Sequence, residues 1–153
     1  MTETTSGTTG RKGKGGRKGL KIKRVFTVAG VHPYETLDWE RRDVVMTNWR
    51  DGTVNFEQRG VEFPVSWSMN ATQIVASKYF RGAVGTPERE WSLKQLIDRV
   101  VDVYTRTGAE NGYFATEEDA EIFDHELKYA LAHQMFSFNS PVWFNVGTDS
   151  AQQ

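Results

Sequence analysis

Apolar side chains follow two spacings along this chain, a short-period one before residue 64 and a helical one after it. Ile22, Arg24 and Phe26 alternate with Lys21, Lys23 and Val25, a two-residue period that predicts a short strand beginning near Leu20. In Val31-His-Pro-Tyr34, Pro33 forces an extended or turn geometry on His32. The run from Leu37 to Asn48 carries Trp39, Val44, Val45 and Met46, and the run from Thr53 to Gln58 carries Val54 and Phe56 among polar residues. Between them lies Asn48-Trp-Arg-Asp-Gly52, and Asp-Gly is a turn signal because both residues tolerate positive φ. A β-hairpin is expected. The chain should leave the sheet at Val61-Glu-Phe-Pro64, since Pro64 has no N–H for a ladder.

Helical spacing follows. Ile74, Val75, Lys78 and Tyr79 share one face of a first helix from about Ser68 to Tyr79, broken by Arg81-Gly-Ala-Val-Gly85. Thr86-Pro-Glu88 has the form of a helix cap with proline at the first helical position. Ser92 and Gln95 have capping-box spacing, and Ile97, Val100, Val101 and Tyr104 then repeat as one apolar face. Gly108 to Gly112 ends this second helix. Thr116 caps a third, with Glu117, Glu118 and Asp119 in the first turn, where the helix dipole favours negative charge. Phe123, Leu127, Ala130 and Leu131 form its predicted buried stripe. Phe136 to Gly147 is too rich in Pro, Asn and aromatics for a helix and predicts a loop entering a buried strand. The expected fold class is α+β: a small β-hairpin unit plus about three helices over residues 20–135, then an exit segment at 136–153.

Charge separates off the first 19 residues. Arg11, Lys12, Lys14, Arg17, Lys18, Lys21, Lys23 and Arg24 stand together without an acid among them, although the whole chain has a net charge of only −1. No apolar side chain lies between Met1 and Leu20, so residues 1–19 cannot bury enough surface to offset their ordering entropy and read as a disordered basic tail. The tail could clamp nucleic acid, or it could be a solubilising extension. The absence of interleaved aromatics for base stacking favours the second reading. With 153 residues, 38% of them hydrophobic, the chain suits one ordinary domain with a core that needs no disulfides. It has no cysteine, which removes thiolate metal sites, redox pairs and cysteine nucleophiles, and favours a cytoplasmic setting. No apolar run approaches a membrane span, and the basic N-terminus lacks the apolar segment of a signal peptide.

Few side chains suggest chemistry by themselves. Glu121 and His125 lie one turn apart, and Glu126 and His133 two, but no second helix supplies a Glu-x-x-His partner. A solvated helix face is the expected setting for His125, a structural one for His32, and no metal site is expected. Neither a Gly-x-Ser-x-Gly elbow nor a phosphate loop occurs, so no catalytic residue is assigned. The segment Asn139-Ser-Pro-Val-Trp-Phe-Asn-Val-Gly-Thr148 places the Ser140 hydroxyl at a strand entrance. That position suits either a phosphate oxygen or a turn serine bonded to its own backbone.

Five segments resemble a known family when taken in order. They are Gly30-Val-His-Pro-Tyr34, Asp38-Trp-Glu-Arg-Arg-Asp43, Ala76-Ser-Lys-Tyr-Phe-Arg-Gly82, Gly85-Thr-Pro-Glu-Arg-Glu90 and Phe138-Asn-Ser-Pro-Val-Trp-Phe-Asn-Val-Gly147. From about Gly19 to Thr148 the chain is similar to the start of adenosylcobalamin-dependent (class II) ribonucleoside-diphosphate reductases. The resemblance implies a role in deoxyribonucleotide synthesis, with adenosylcobalamin generating a thiyl radical inside a ten-stranded α/β barrel. It implies that Ser140, before the first barrel strand, contacts the phosphates of a ribonucleoside diphosphate. The catalytic cysteines of the family are absent from these 153 residues, so this piece is expected to be inactive alone and to need the C-terminal catalytic part as its partner. A homodimer of the full enzyme is among the assemblies the resemblance allows. The competing expectation is a stand-alone nucleic-acid-binding module using the basic tail. The two differ at Phe136 to Phe144, which a reductase piece should expose and a binding module should bury.

Overall fold

The structure, a computed structural model, describes residues 18–149; the predicted tail lies outside it except for Lys18 and Gly19. Two antiparallel strands, β1 (Trp39–Thr47) and β2 (Val54–Pro64), form the only sheet among the described residues. Four helices follow: α1 (Met69–Lys78), α2 (Leu93–Glu110), α3 (Glu117–Ala132) and the short α4 (Ser140–Asn145). A 3-10 turn, Pro33–Thr36, precedes the hairpin. The architecture is α+β, as the two spacings predicted.

The hairpin turns at Asn48 to Gly52, where the Asn48 N–H donates to Thr53 O at 2.7 Å and the Gly52 N–H to Asn48 O at 2.8 Å. Its inward face changes parity halfway along. Phe56 and Gln58 point to the core side, then Val61 and Phe63 do, because the register slips between Arg42 and Val44. Gly60 sits in this bulge with φ of 71°, and its N–H donates to the Asp43 carboxylate at 2.9 Å. One extra residue in left-handed geometry is what swaps the faces. Pro64 does not leave the sheet as expected; it pairs with Trp39 as the last residue of β2. In a two-stranded sheet each strand has an edge that needs no donor, so a terminal proline costs the ladder nothing.

Helix α2 is the centre of the core. Ser92 and Gln95 form the predicted capping box, and Leu93, Leu96, Ile97, Val100 and Val101 are buried. They meet Val44, Val61 and Phe63 from the hairpin and Leu131 and Ala132 from α3. Tyr104 lies at the margin, still partly exposed.

Three further expectations are corrected. Residues 20–26 form no strand: Leu20 makes one bridge to Phe114, and the amides beyond it bond to acids of α3. The Ile22 N–H donates to Asp119 at 2.8 Å, and the Val25 and Phe26 N–H groups to Glu126 at 2.6 and 3.0 Å. Side-chain carboxylates supply the acceptors that a sheet edge would have given. Thr86-Pro-Glu88 starts no helix but forms a turn, and the Arg89 guanidinium just after it donates to Ala76 O, Phe80 O and Gly82 O. The stripe of α3 is also not purely apolar. Ile122 and Leu131 are buried, but so are Asp124 and Lys128, whereas Phe123, Leu127 and Ala130 are half-buried.

Candidate functional site

Helix α3 ends at Ala132, and two residues later Gln134 takes a left-handed φ of 58° that turns the chain back toward α1 and α2. The following segment was predicted as a loop entering a strand, and it instead winds into α4. Asn139 has extended cap geometry and Pro141 falls in the first turn, where its missing N–H is not needed. Trp143 then faces inward and is buried, with Val142 and Val146 packed beside it. Burial of one large aromatic outweighs the weak helical propensity of six residues.

Ser140 is the first residue of α4 and is half-buried. Its Oγ lies 3.0 Å from the phenolic oxygen of Tyr79, the C-cap of α1. The Tyr79 ring packs on Phe144 with centroids 5.1 Å apart. Arg99 of α2 holds the other end of the segment: it donates to Val146 O at 2.7 Å, Trp143 O at 3.0 Å and Tyr79 O at 3.3 Å. Beside this arrangement opens a cavity of about 390 Å³, walled by Trp67, Val75, Tyr79, Leu96, Leu131 and Trp143 among others. It is the size of a pocket for a small ligand or a few inserted side chains.

The histidines are held in structural roles. His32 accepts the Tyr34 N–H at Nδ1, and its ring lies 5.2 Å from that of His125. Burial holds His32 below its ordinary range, and the neighbouring His125 and Lys128 act in the same direction. The expected solvated face around His125 is corrected: its side chain is 15% exposed, and Asp124 and Lys128 beside it are buried. Lys128 pairs with Asp102, Asp124 and Asp98 at 2.7, 2.9 and 3.4 Å, tying α3 to α2. Tyr34 extends the network by donating to Asp98 at 2.7 Å; burial and that carboxylate push its phenol strongly upward. Among the described residues no group of three or more His, Asp or Glu is placed to hold a metal ion.

A family model described as class II vitamin B12-dependent ribonucleotide reductase matches residues 41–134. The chain belongs to this family. The vitamin B12-dependent ribonucleotide reductase of Streptomyces coelicolor is 68% identical over 156 aligned residues, covering 100% of this chain and 16% of that protein. That of Streptomyces clavuligerus is 69% identical with the same coverage. That of Rhodopirellula baltica is 44% identical over 88% of this chain and 13% of its own length. The chain therefore spans about a sixth of the reductases it matches.

Membership in the reductase family covers the hairpin and α1 to α3 through the family model, while Ser140 and α4 fall within the Streptomyces alignments. The 390 Å³ cavity is too small to enclose a corrinoid with its adenosyl group. Of the aromatics in Phe136 to Phe144, which a reductase piece was expected to expose, only Phe136 is exposed; Trp143 is buried, and Phe138 and Phe144 are half-buried. Two residues around Ser140 escaped the sequence reading. Tyr79 stood in a recognised motif but was assigned only to a helix face. Arg99 carries no signal, because its partners lie 9 to 47 residues away at no fixed spacing. No helix of the described residues is long and apolar enough to cross a membrane.

Proposed function

We propose that this chain forms the N-terminal part of an adenosylcobalamin-dependent ribonucleotide reductase that converts ribonucleoside diphosphates to 2′-deoxyribonucleoside diphosphates in the cytoplasm. The observation that carries the reading is the 68% identity to the Streptomyces coelicolor reductase across the whole chain. In this reading α4 leads toward the catalytic barrel, and the cobalamin, held by the rest of the enzyme, supplies the radical. The reducing thiols also belong elsewhere, since these 153 residues contain no cysteine. The 153-residue polypeptide alone should convert no ribonucleotide, even with adenosylcobalamin and a dithiol; measured turnover by pure chain overturns the division of labour.

The chain's own contribution is Ser140, whose hydroxyl donates to a substrate phosphate oxygen. Three features support this: Ser140 is half-buried rather than sealed, it sits on a segment clamped by Arg99, and its neighbour Tyr79 walls the cavity. A phosphate oxygen is charged in ground state and transition state alike, so the bond acts on KM more than on kcat. In a full-length enzyme built from these residues and the remainder of the Streptomyces coelicolor reductase, Ser140→Ala removes one charge-assisted hydrogen bond, worth about 1.5–3 kcal/mol. KM should rise roughly tenfold or more, by the tenfold-per-1.4-kcal/mol relation, with kcat changed much less. Ser140→Thr should retain most of the affinity. An unchanged KM for Ser140→Ala returns Ser140 to the role of a turn residue.

A further inference from the structure

We propose that Tyr79 is a positioning residue for Ser140: its phenolic O–H donates to Ser140 Oγ, which leaves the single serine proton free for a substrate phosphate. The proposal rests on the phosphate-binding reading of Ser140 and deepens it. The two oxygens are 3.0 Å apart, and one proton is shared between them. Each hydroxyl has one proton to give, so the direction of this bond decides what Ser140 can offer a ligand. If Ser140 donates to Tyr79, its proton is spent and its lone pairs face the anion. If Tyr79 donates to Ser140, the serine proton points away from the tyrosine and its lone pairs are engaged by a donor. A phosphate oxygen selects the second arrangement, because a charge-assisted bond is stronger than a neutral one. The tyrosine bond then polarises the serine O–H and strengthens its donation further.

Tyr79 is fixed well enough for this task. Its N–H closes the last turn of α1 on Val75 O at 2.9 Å, and its carbonyl accepts from Arg99 at 3.3 Å. The ring is braced by Phe144, the fifth residue of the same helix that Ser140 begins. The phenol therefore meets the serine from a rigid helix end.

The test uses the same full-length enzyme with cytidine diphosphate as substrate, and compares Tyr79→Phe, Ser140→Ala and the double variant. Phe keeps the ring packing and removes only the hydroxyl. Tyr79→Phe should raise KM by up to about fivefold, the effect of losing a cooperative strengthening of about 10–30% in the serine–phosphate bond, with kcat within about twofold. The double variant should match Ser140→Ala alone, since a group acting through the serine has nothing to act on without it. If Ser140→Ala leaves KM unchanged, the phosphate reading fails and this proposal with it. If Ser140→Ala raises KM and Tyr79→Phe does not, only the role of Tyr79 is overturned. If the two effects multiply, Tyr79 acts independently of the serine and the relay is wrong. Ser140→Gly provides the hydroxyl-free background should Ser140→Ala fail to fold.

Discussion

The guanidinium of Arg99 meets the carboxylate of Glu90 at two contacts of 3.2 Å, with both side chains 11% exposed. Glu90 also accepts the Arg81 N–H at 2.7 Å, while Arg99 holds three carbonyls at the ends of α1 and α4. One ion pair therefore joins the loop after α1, the core helix and the Ser140 segment. Arg99→Met should leave Glu90 buried without its charge partner and cost about 3–5 kcal/mol, measured by denaturant unfolding. Adding Glu90→Gln to Arg99→Met should recover part of that loss. A cost below about 1 kcal/mol for Arg99→Met would show that water reaches the pair and that it clamps little.

Lys128 offers a pH-dependent counterpart. Burial alone would lower its pKa, but hydrogen bonds to Asp102 and Asp124 and the charge of Asp98 raise it well above the ordinary 10.5. A raised folded-state pKa gives stability that is complete below 10.5 and is lost as pH climbs through the folded value. Lys128→Met should be less stable than the parent at pH 7, and the gap should shrink as pH rises beyond 10.5. A gap that stays constant across that range would mean the carboxylates do not act on Lys128.

Glu126 works in the opposite direction. Its burial would raise its pKa, yet N–H groups of Phe26, Val25 and Thr27 and the Thr27 hydroxyl bring it below the ordinary 4.5. Stability from this group is therefore present above pH 4.5 and lost as pH falls through the lower folded value. Amide exchange at Val25 and Phe26, corrected for intrinsic rates, should show protection that disappears in that acid window. In Glu126→Gln the protection should be weak already at neutral pH; full protection there would place the anchor of residues 25–27 elsewhere.

The elements that read clearly from sequence were those whose signal is local. The Ser92 and Gln95 box, the Asp-Gly turn and the Thr116 cap each need only neighbours within a few residues, and each appears as expected. The strand predicted at residues 20–26 failed because alternation says nothing about which acceptor the amides find, and Glu126 lies about 100 residues away. The face around His125 was expected to be solvated because charged residues flank it in sequence; the pairing of Lys128 with Asp98 and Asp102 packs that face against α2 instead. At the candidate site, Ser140 was singled out by its motif, but its neighbour Tyr79 lies 61 residues earlier, a contact that exists only after α4 folds back on α1.

The start of the described residues makes the sharpest contrast along the chain. Among the described residues Leu20 is the first with sheet-like bonds: its N–H donates to Tyr113 O at 2.7 Å and its carbonyl accepts from Ala115 at 2.8 Å. Gly19 lies so close to this crossing that an added Cβ would stand 2.3 Å from the Phe114 carbonyl carbon and 2.6 Å from Ala115 N. Those neighbours are backbone and cannot rotate away, so Gly19→Ala must push the chain off the loop between α2 and α3. A loss of about 1–3 kcal/mol is expected, the range for overpacking. Deleting residues 1–17, which contain no apolar side chain after Met1, should by contrast change stability by no more than about 0.5 kcal/mol. Thermal melts of the two variants decide it. A harmless Gly19→Ala would mean that the bridge at Leu20 is not part of the stable fold, and a costly deletion would mean that residues 1–17 dock on the rest of the chain.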